Sequence, residues 1–177
     1  MKKIIIYCHG YNSSSKSSKL QQLQQLKDSG FEAYCFDADI NPVKALEHLT
    51  NEIDILLVEK QHHKDFKLIF VGTSLGGWMA SKLAKLYSAE AVIINPSINP
   101  KLSLLKYGVA DEICDLYEPI EWSKKSKYFF ADKDEVIDNV EIRQYLINEG
   151  LDVTVVPGAD HRFDKHFNIV LEYLKNA

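Results

Sequence analysis

The chain has 177 residues, 46% of them hydrophobic and 26% charged, which suits one domain with a proper core and is too short for two of ordinary size. With only 8 Gly and 5 Pro, the composition is that of a globular protein and excludes a disordered or fibrous one. A formal net charge of -4 supplies no basic field to hold a phosphate backbone, so nucleic acid is not an expected partner.

In chain order, "MKKIIIYCHGYNSSS" starts like a secretory signal, but its apolar run, Ile4 to Cys8, stops at His9 and no small-residue cleavage site follows. It reads as a first buried strand. No stretch approaches the length of a membrane span, and no membrane partner is expected. Further runs rich in β-branched and aromatic residues lie at 32–36, 67–71, 90–94, 127–131 and 152–156, each suited to a strand buried on both faces.

Helical periodicity fills the intervals. Apolar stripes run through Leu20, Leu23 and Leu26, through Val43, Leu46, Leu49, Ile53, Leu56 and Leu57, and through Met79, Leu83 and Leu86. Val140 to Ile147 form a further one, and Phe163, Phe167, Val170, Leu171 and Leu174 close the chain. The alternation predicts an α/β fold with βαβ units around about six mainly parallel strands, in a single domain over residues 1–177. Ser97 to Trp122 breaks the alternation and is too long for an ordinary connection, which marks it as a short cap or lid-like insertion at about 97–122. Cys8, Cys35 and Cys114 have no metal-like spacing; plain packing and a reduced, cytoplasmic setting are expected.

The chemistry concentrates in "KLIFVGTSLGGWMA", where Gly72, Ser74 and Gly76 fill the pattern GxSxG between a predicted strand and a predicted helix. In a nucleophile elbow the turn strains the serine backbone, and side chains two residues to either side would collide with their neighbours; glycines remove that crowding. The first helical amides, Leu75 foremost, then point at developing negative charge. A phosphate-binding loop would need a lysine after its last glycine, where Trp78 follows Gly77.

A serine hydroxyl needs a base, and the base needs an orienting acid, in the chain order nucleophile, acid, histidine. After residues 127–131 come Asp132, Asp134 and Asp138, and after 152–156 comes His161. His161 is the expected general base. Spacing alone leaves Asp134 and Asp132 open, with Asp134 ranked first partly on the resemblance given below and Asp132, which can cap the turn, as the fallback, while Asp160 adjoins the histidine and should diverge from it. His48, His62, His63 and His166 read as solvated surface residues. His9, in "CHGYNSS", reads as a hydrogen bonder that shapes its loop, with the Tyr11 amide placed as a second oxyanion donor.

These motifs resemble the α/β-hydrolases, and more narrowly the small bacterial YqiA-like esterases. The likeness runs through "YCHGYNSSSKSSK", "DADINPVKALEHL", "VGTSLGGWMASKLA", "AVIINPSINP", "DKDEVID" and "GADHRF". It implies a minimal three-layer fold with helices on both faces and strand order 2-1-3-4-5-6. It further implies Ser74, Asp134 and His161 as triad, the Tyr11 and Leu75 amides as oxyanion hole, and His9, Gly10, Gly72 and Gly76 as loop support. Thr73 departs from the second serine common in such relatives. The expected activity is hydrolysis of small or short-chain carboxylic esters through an acyl-enzyme, with no cofactor and no metal. The expected partner is a small-molecule ester, and the chain is a monomer by default. A thioesterase or peptidase with the same triad, or a non-catalytic binding module, are the alternatives. Leu102, Leu104, Leu105, Tyr107 and Trp122 are candidates to wall an acyl pocket.

Overall fold

A computed structural model describes residues 2–60 and 66–177, so His62 and His63 lie outside the described residues. Six strands form one sheet: β1 (Lys2–Cys8), β2 (Phe31–Tyr34), β3 (Phe66–Thr73), β4 (Glu90–Ile94), β5 (Ser126–Ala131) and β6 (Asp152–Val156). Their order is β2-β1-β3-β4-β5-β6 with every neighbouring pair parallel, which is the expected topology. Helices α1 (Ser18–Gln24), α2 (Pro42–Lys60), α3 (Leu75–Leu86), α4 (Pro100–Leu105), α5 (Asp111–Cys114), α6 (Val140–Asn148) and α7 (Phe167–Asn176) complete the described elements, with two short 3-10 turns.

Consecutive apolar residues in a strand face opposite sides, so a strand covered twice must be apolar throughout. Accordingly, Ile4 and Ile6 enter the core under α2, α3 and α6, while Ile5 and Tyr7 enter the core under α1 and α7. The β2 strand starts at Phe31 and leaves the sheet after Tyr34, two residues before the expected end, because β1 is its single partner and their pairing stops at Ile6. Val43, Leu86 and Val140, assigned to buried stripes by periodicity, are instead exposed. Each stands within two residues of a helix end, where the stripe has no more sheet to cover.

Register aligns the chemistry. Cys8 lies opposite Gly72, Thr73 opposite Ile94, and Ala131 opposite Val156, so five strands end along one rim. Ligands in open α/β sheets gather at the carboxyl ends of strands. Segment 97–122 carries α4 and α5 and is fastened by Trp78 Nε1–H to the Glu118 carbonyl (2.8 Å), by the Ser81 hydroxyl to the Glu121 carbonyl (2.7 Å) and by the Tyr117 hydroxyl to the Ile40 carbonyl (2.7 Å). Among the described residues no helix is long and apolar enough to cross a membrane.

The passage from β3 into α3 depends on two glycines. A Cβ at Gly72 would lie 2.1 Å from the Gly76 carbonyl oxygen, and one at Gly76 would lie 2.0 Å from the Cys8 carbonyl oxygen. Both obstacles are backbone. Gly76→Ala should therefore destabilise the fold by about 3 kcal/mol or more in urea denaturation. Gly77→Ala, whose Cβ would meet the Pro96 Cβ at 3.1 Å, should cost less than about 1 kcal/mol because helix propensity offsets the crowding.

Candidate active site

Ser74 occupies the junction of β3 and α3 with φ 58° and ψ -123°, a region that L side chains seldom enter. Its backbone is tied on both sides. The Ser74 N–H donates to the Ile94 carbonyl (3.0 Å), and its carbonyl accepts from the N–H groups of Gly77 (2.9 Å) and Ser97 (3.0 Å). The turn lifts the hydroxyl to the rim of the sheet.

His161, on the loop after β6, reaches the same point. Its Nε2 lies 3.0 Å from Ser74 Oγ, and its Nδ1 lies 2.9 Å from Asp134 Oδ2 and 3.0 Å from Oδ1. An anionic acceptor at Nδ1 assigns the proton to that nitrogen and leaves Nε2 as an acceptor for the serine hydroxyl. The Asp134 side chain is 2% exposed, and its Oδ1 also accepts from the Val136 (2.9 Å) and Ile137 (2.8 Å) amides. Those bonds fix the carboxylate before the imidazole meets it.

The other acids have different partners. Asp132 Oδ1 accepts from the Gly158 N–H (2.7 Å) and so braces the turn that leads to His161, while Asp160 Oδ1 accepts from Phe163 N–H (2.9 Å). Asp138 Oδ1 accepts from Val140 N–H at 3.3 Å. Among the histidines, His48 is exposed on α2 and His166 packs edge-on against Phe163. The His9 ring turns from Ser74: Nδ1 faces the Gly10 carbonyl (3.0 Å) and Nε2 accepts from the Ala38 N–H (3.4 Å). Cys8 and Cys114 are buried, and burial pushes the half-buried Cys35 thiol up to about 12, so none offers a ready thiolate.

The Gly10–Ser13 loop stands beside the elbow, where a Cβ at Gly10 would lie 3.2 Å from the Thr73 carbonyl oxygen. The Leu75 amide opens α3, and among the described residues neither it nor the Tyr11 amide donates to a protein acceptor. Beyond Leu75 lies a cleft of about 240 Å³ walled by Phe36, Ile40, Leu49, Leu75, Met79 and Tyr117. The residues expected as candidates for an acyl-pocket wall do not line this cleft. Leu102, Leu105 and Tyr107 are exposed, Leu104 is buried in the core, and Trp122 stacks edge-on against Tyr128 at 5.3 Å. The 97–122 segment is drawn down by its tethers onto α3, so among those named residues none enters this cleft, and only Tyr117 of the segment does.

Asn95 ties these loops together, a role that periodicity does not reveal. Buried at 1% exposure with φ 41°, it donates from Nδ2 to the carbonyls of His161 (2.9 Å) and Asp160 (3.2 Å) and accepts the Ala131 N–H at Oδ1 (2.7 Å). The sequence signal is a polar residue directly after the apolar run of β4, followed by proline. Asn95→Ala would strand a buried N–H and two carbonyls. We expect a loss of about 2–4 kcal/mol in denaturant titration, with faster hydrogen exchange at Ala131 N–H than at the centre of β3.

A family model for the uncharacterised protein family UPF0227 matches residues 4–116. A UPF0227 protein of Shewanella sediminis is 28% identical over 153 residues, spanning 81% of this chain and 82% of the relative. One from Pectobacterium atrosepticum is 29% identical over 99 residues, spanning 55% and 53%. Among solved structures, Est1E from Butyrivibrio proteoclasticus superposes with a TM-score of 0.72 at 17% identity, over 99% of this chain and 86% of that one. An alpha-beta serine hydrolase homologue from Coxiella burnetii gives 0.67 at 17% identity, over 99% and 84%. At such identities the superpositions establish the α/β-hydrolase fold alone. With most of its length matched by one family model and its fold that of the α/β-hydrolases, the chain belongs to UPF0227, the YqiA-like family.

Proposed function

We propose that the protein is a serine hydrolase that cleaves carboxylic esters of small acyl groups through an acyl-enzyme on Ser74. The observation that carries this reading is the continuous chain from Ser74 Oγ to His161 Nε2 (3.0 Å) and from His161 Nδ1 to Asp134 Oδ2 (2.9 Å). A structural serine would have no need of a strained backbone, an imidazole and a buried carboxylate in sequence. The names of the structural neighbours, which include an esterase from Pyrococcus furiosus, agree with this chemistry.

The proposed reaction uses only groups already at the rim. As Ser74 Oγ attacks the carbonyl carbon, its proton passes to His161 Nε2, and Asp134 stabilises the imidazolium. The carbonyl oxygen becomes an oxyanion held by the Tyr11 and Leu75 amides. Collapse of the tetrahedral intermediate breaks the bond to the alcohol oxygen, which takes the proton from His161. Water then repeats the sequence on the acyl-enzyme and releases the acid. A cleft of about 240 Å³ falls below the range of about 300–1,000 Å³ for drug-sized ligands, which favours a short acyl chain. We also propose that residues 1–177 act as one catalytic unit in which 97–122 is a fixed cover on α3 and, through Tyr117, part of the acyl wall.

Ser74→Ala should abolish hydrolysis of a short activated ester, and Asp134→Asn should lower kcat by about 10³- to 10⁴-fold because it removes the anion that sets the tautomer. Both variants should keep the parent's melting temperature within a few degrees. Parent-like rates in Ser74→Ala would refute the proposal. A steady-state comparison of the purified variants supplies the answer.

A further inference from the structure

Two cavities meet at the Gly10–Ser13 loop, and one of them is walled largely by apolar side chains, with Asp39 at its edge. The second, a hollow of about 460 Å³ on the α1 side, is lined by both Ser74 and His161, whereas the apolar cleft beyond Leu75 touches neither. This difference assigns the two sides. The leaving oxygen must face the nitrogen that protonates it, so the alcohol portion of a bound ester enters the hollow that His161 borders.

The walls of that hollow are polar. Tyr7, Asn12, Ser13, Ser17, Ser18 and Thr73 stand among its lining residues. Burial raises the pKa of the Tyr7 phenol, against the opposing effect of its Thr73 and Ser17 neighbours, so it stays a neutral hydroxyl.

Charge narrows the chemistry further. Lys19 Nζ pairs with Asp164 Oδ1, and Arg162 Nε stands 3.4 Å from Oδ2 of the same carboxylate. Two cations thus share one anion at this wall, and the Arg162 side chain is 81% exposed. Asp134 lies on the opposite edge of the imidazole, and Glu135 accepts the His161 backbone N–H (3.1 Å). Of the charged residues that line the hollow, the two cations Lys19 and Arg162 outnumber the one anion, Asp164, on a chain of formal net charge -4.

We infer that this hollow is the leaving-group subsite and that it takes an alcohol bearing an anionic group, a carboxylate or a phosphate, with Arg162 as the residue that selects the charge. The assignment rests on Ser74 being the nucleophile. The anion meets the guanidinium through charge-assisted hydrogen bonds.

Three butyrate esters of equal acyl length test it: those of glycolamide, of glycolic acid and of ethylene glycol monophosphate. Their affinities for the full chain carrying Ser74→Ala are measured by calorimetry at low salt, and turnover is measured with the parent. At least one anionic ester should bind at least fivefold more tightly than the neutral one. Arg162→Glu in the same background should reduce the anionic-to-neutral ratio at least fivefold, and added salt should shrink it. Whichever anionic ester leads identifies carboxylate or phosphate as the preferred group. Equal or weaker binding of both anionic esters, or a ratio unmoved by Arg162→Glu, overturns the inference. Preferential binding without turnover by the parent would overturn the hydrolase reading and leave the anion site standing.

Discussion

The turn that ends β4 holds the rest of the site in register. Ile94 accepts the Ser74 N–H, Ser97 donates to the Ser74 carbonyl, and Asn95 between them bonds to Ala131, Asp160 and His161. Three residues thus touch the elbow, the strand that leads to Asp134 and the loop that carries His161. A left-handed serine costs about 1–3 kcal/mol and persists only where its surroundings over-determine it. The two flanking hydrogen bonds and the glycines on either side are that over-determination.

The parallel sheet supplies the remaining precision. Because β1, β3, β4, β5 and β6 finish along one rim, loops separated by as many as 87 residues converge without any long connection crossing the core. The helices on both faces then need only bury apolar surface, which they do in two continuous cores. At the rim, the Gly10–Ser13 loop borders an apolar cleft on one side and a polar hollow on the other. A single loop therefore divides two environments beside the elbow.

Much of this was legible in the residues, and for physical reasons. Doubly covered strands must be apolar throughout, so the six runs located the sheet, and the alternation with helical stripes made it parallel. GxSxG marked the elbow because only glycine fits where a Cβ would meet a carbonyl oxygen at about 2 Å. Periodicity failed at helix ends, where Val43, Leu86 and Val140 keep the spacing of a buried stripe but have nothing to cover. It also left Asp132 and Asp134 open, since both follow the same strand. Their separate partners, the Gly158 amide and the His161 ring, exist only once the loops fold. The course of 97–122 was not legible for a related reason. Apolar residues in 97–122 satisfy several neighbours equally well, and the tethers from Trp78 and Ser81 decide which way the segment lies.

Covalent labelling tests the central claim most directly, because it asks which oxygen in the chain is nucleophilic. After reaction with an active-site fluorophosphonate, peptide mapping by mass spectrometry should place a single adduct on Ser74, with labelling strongly slowed by His161→Ala. An adduct on another residue, or no adduct under conditions that label a known serine esterase, would contradict the account.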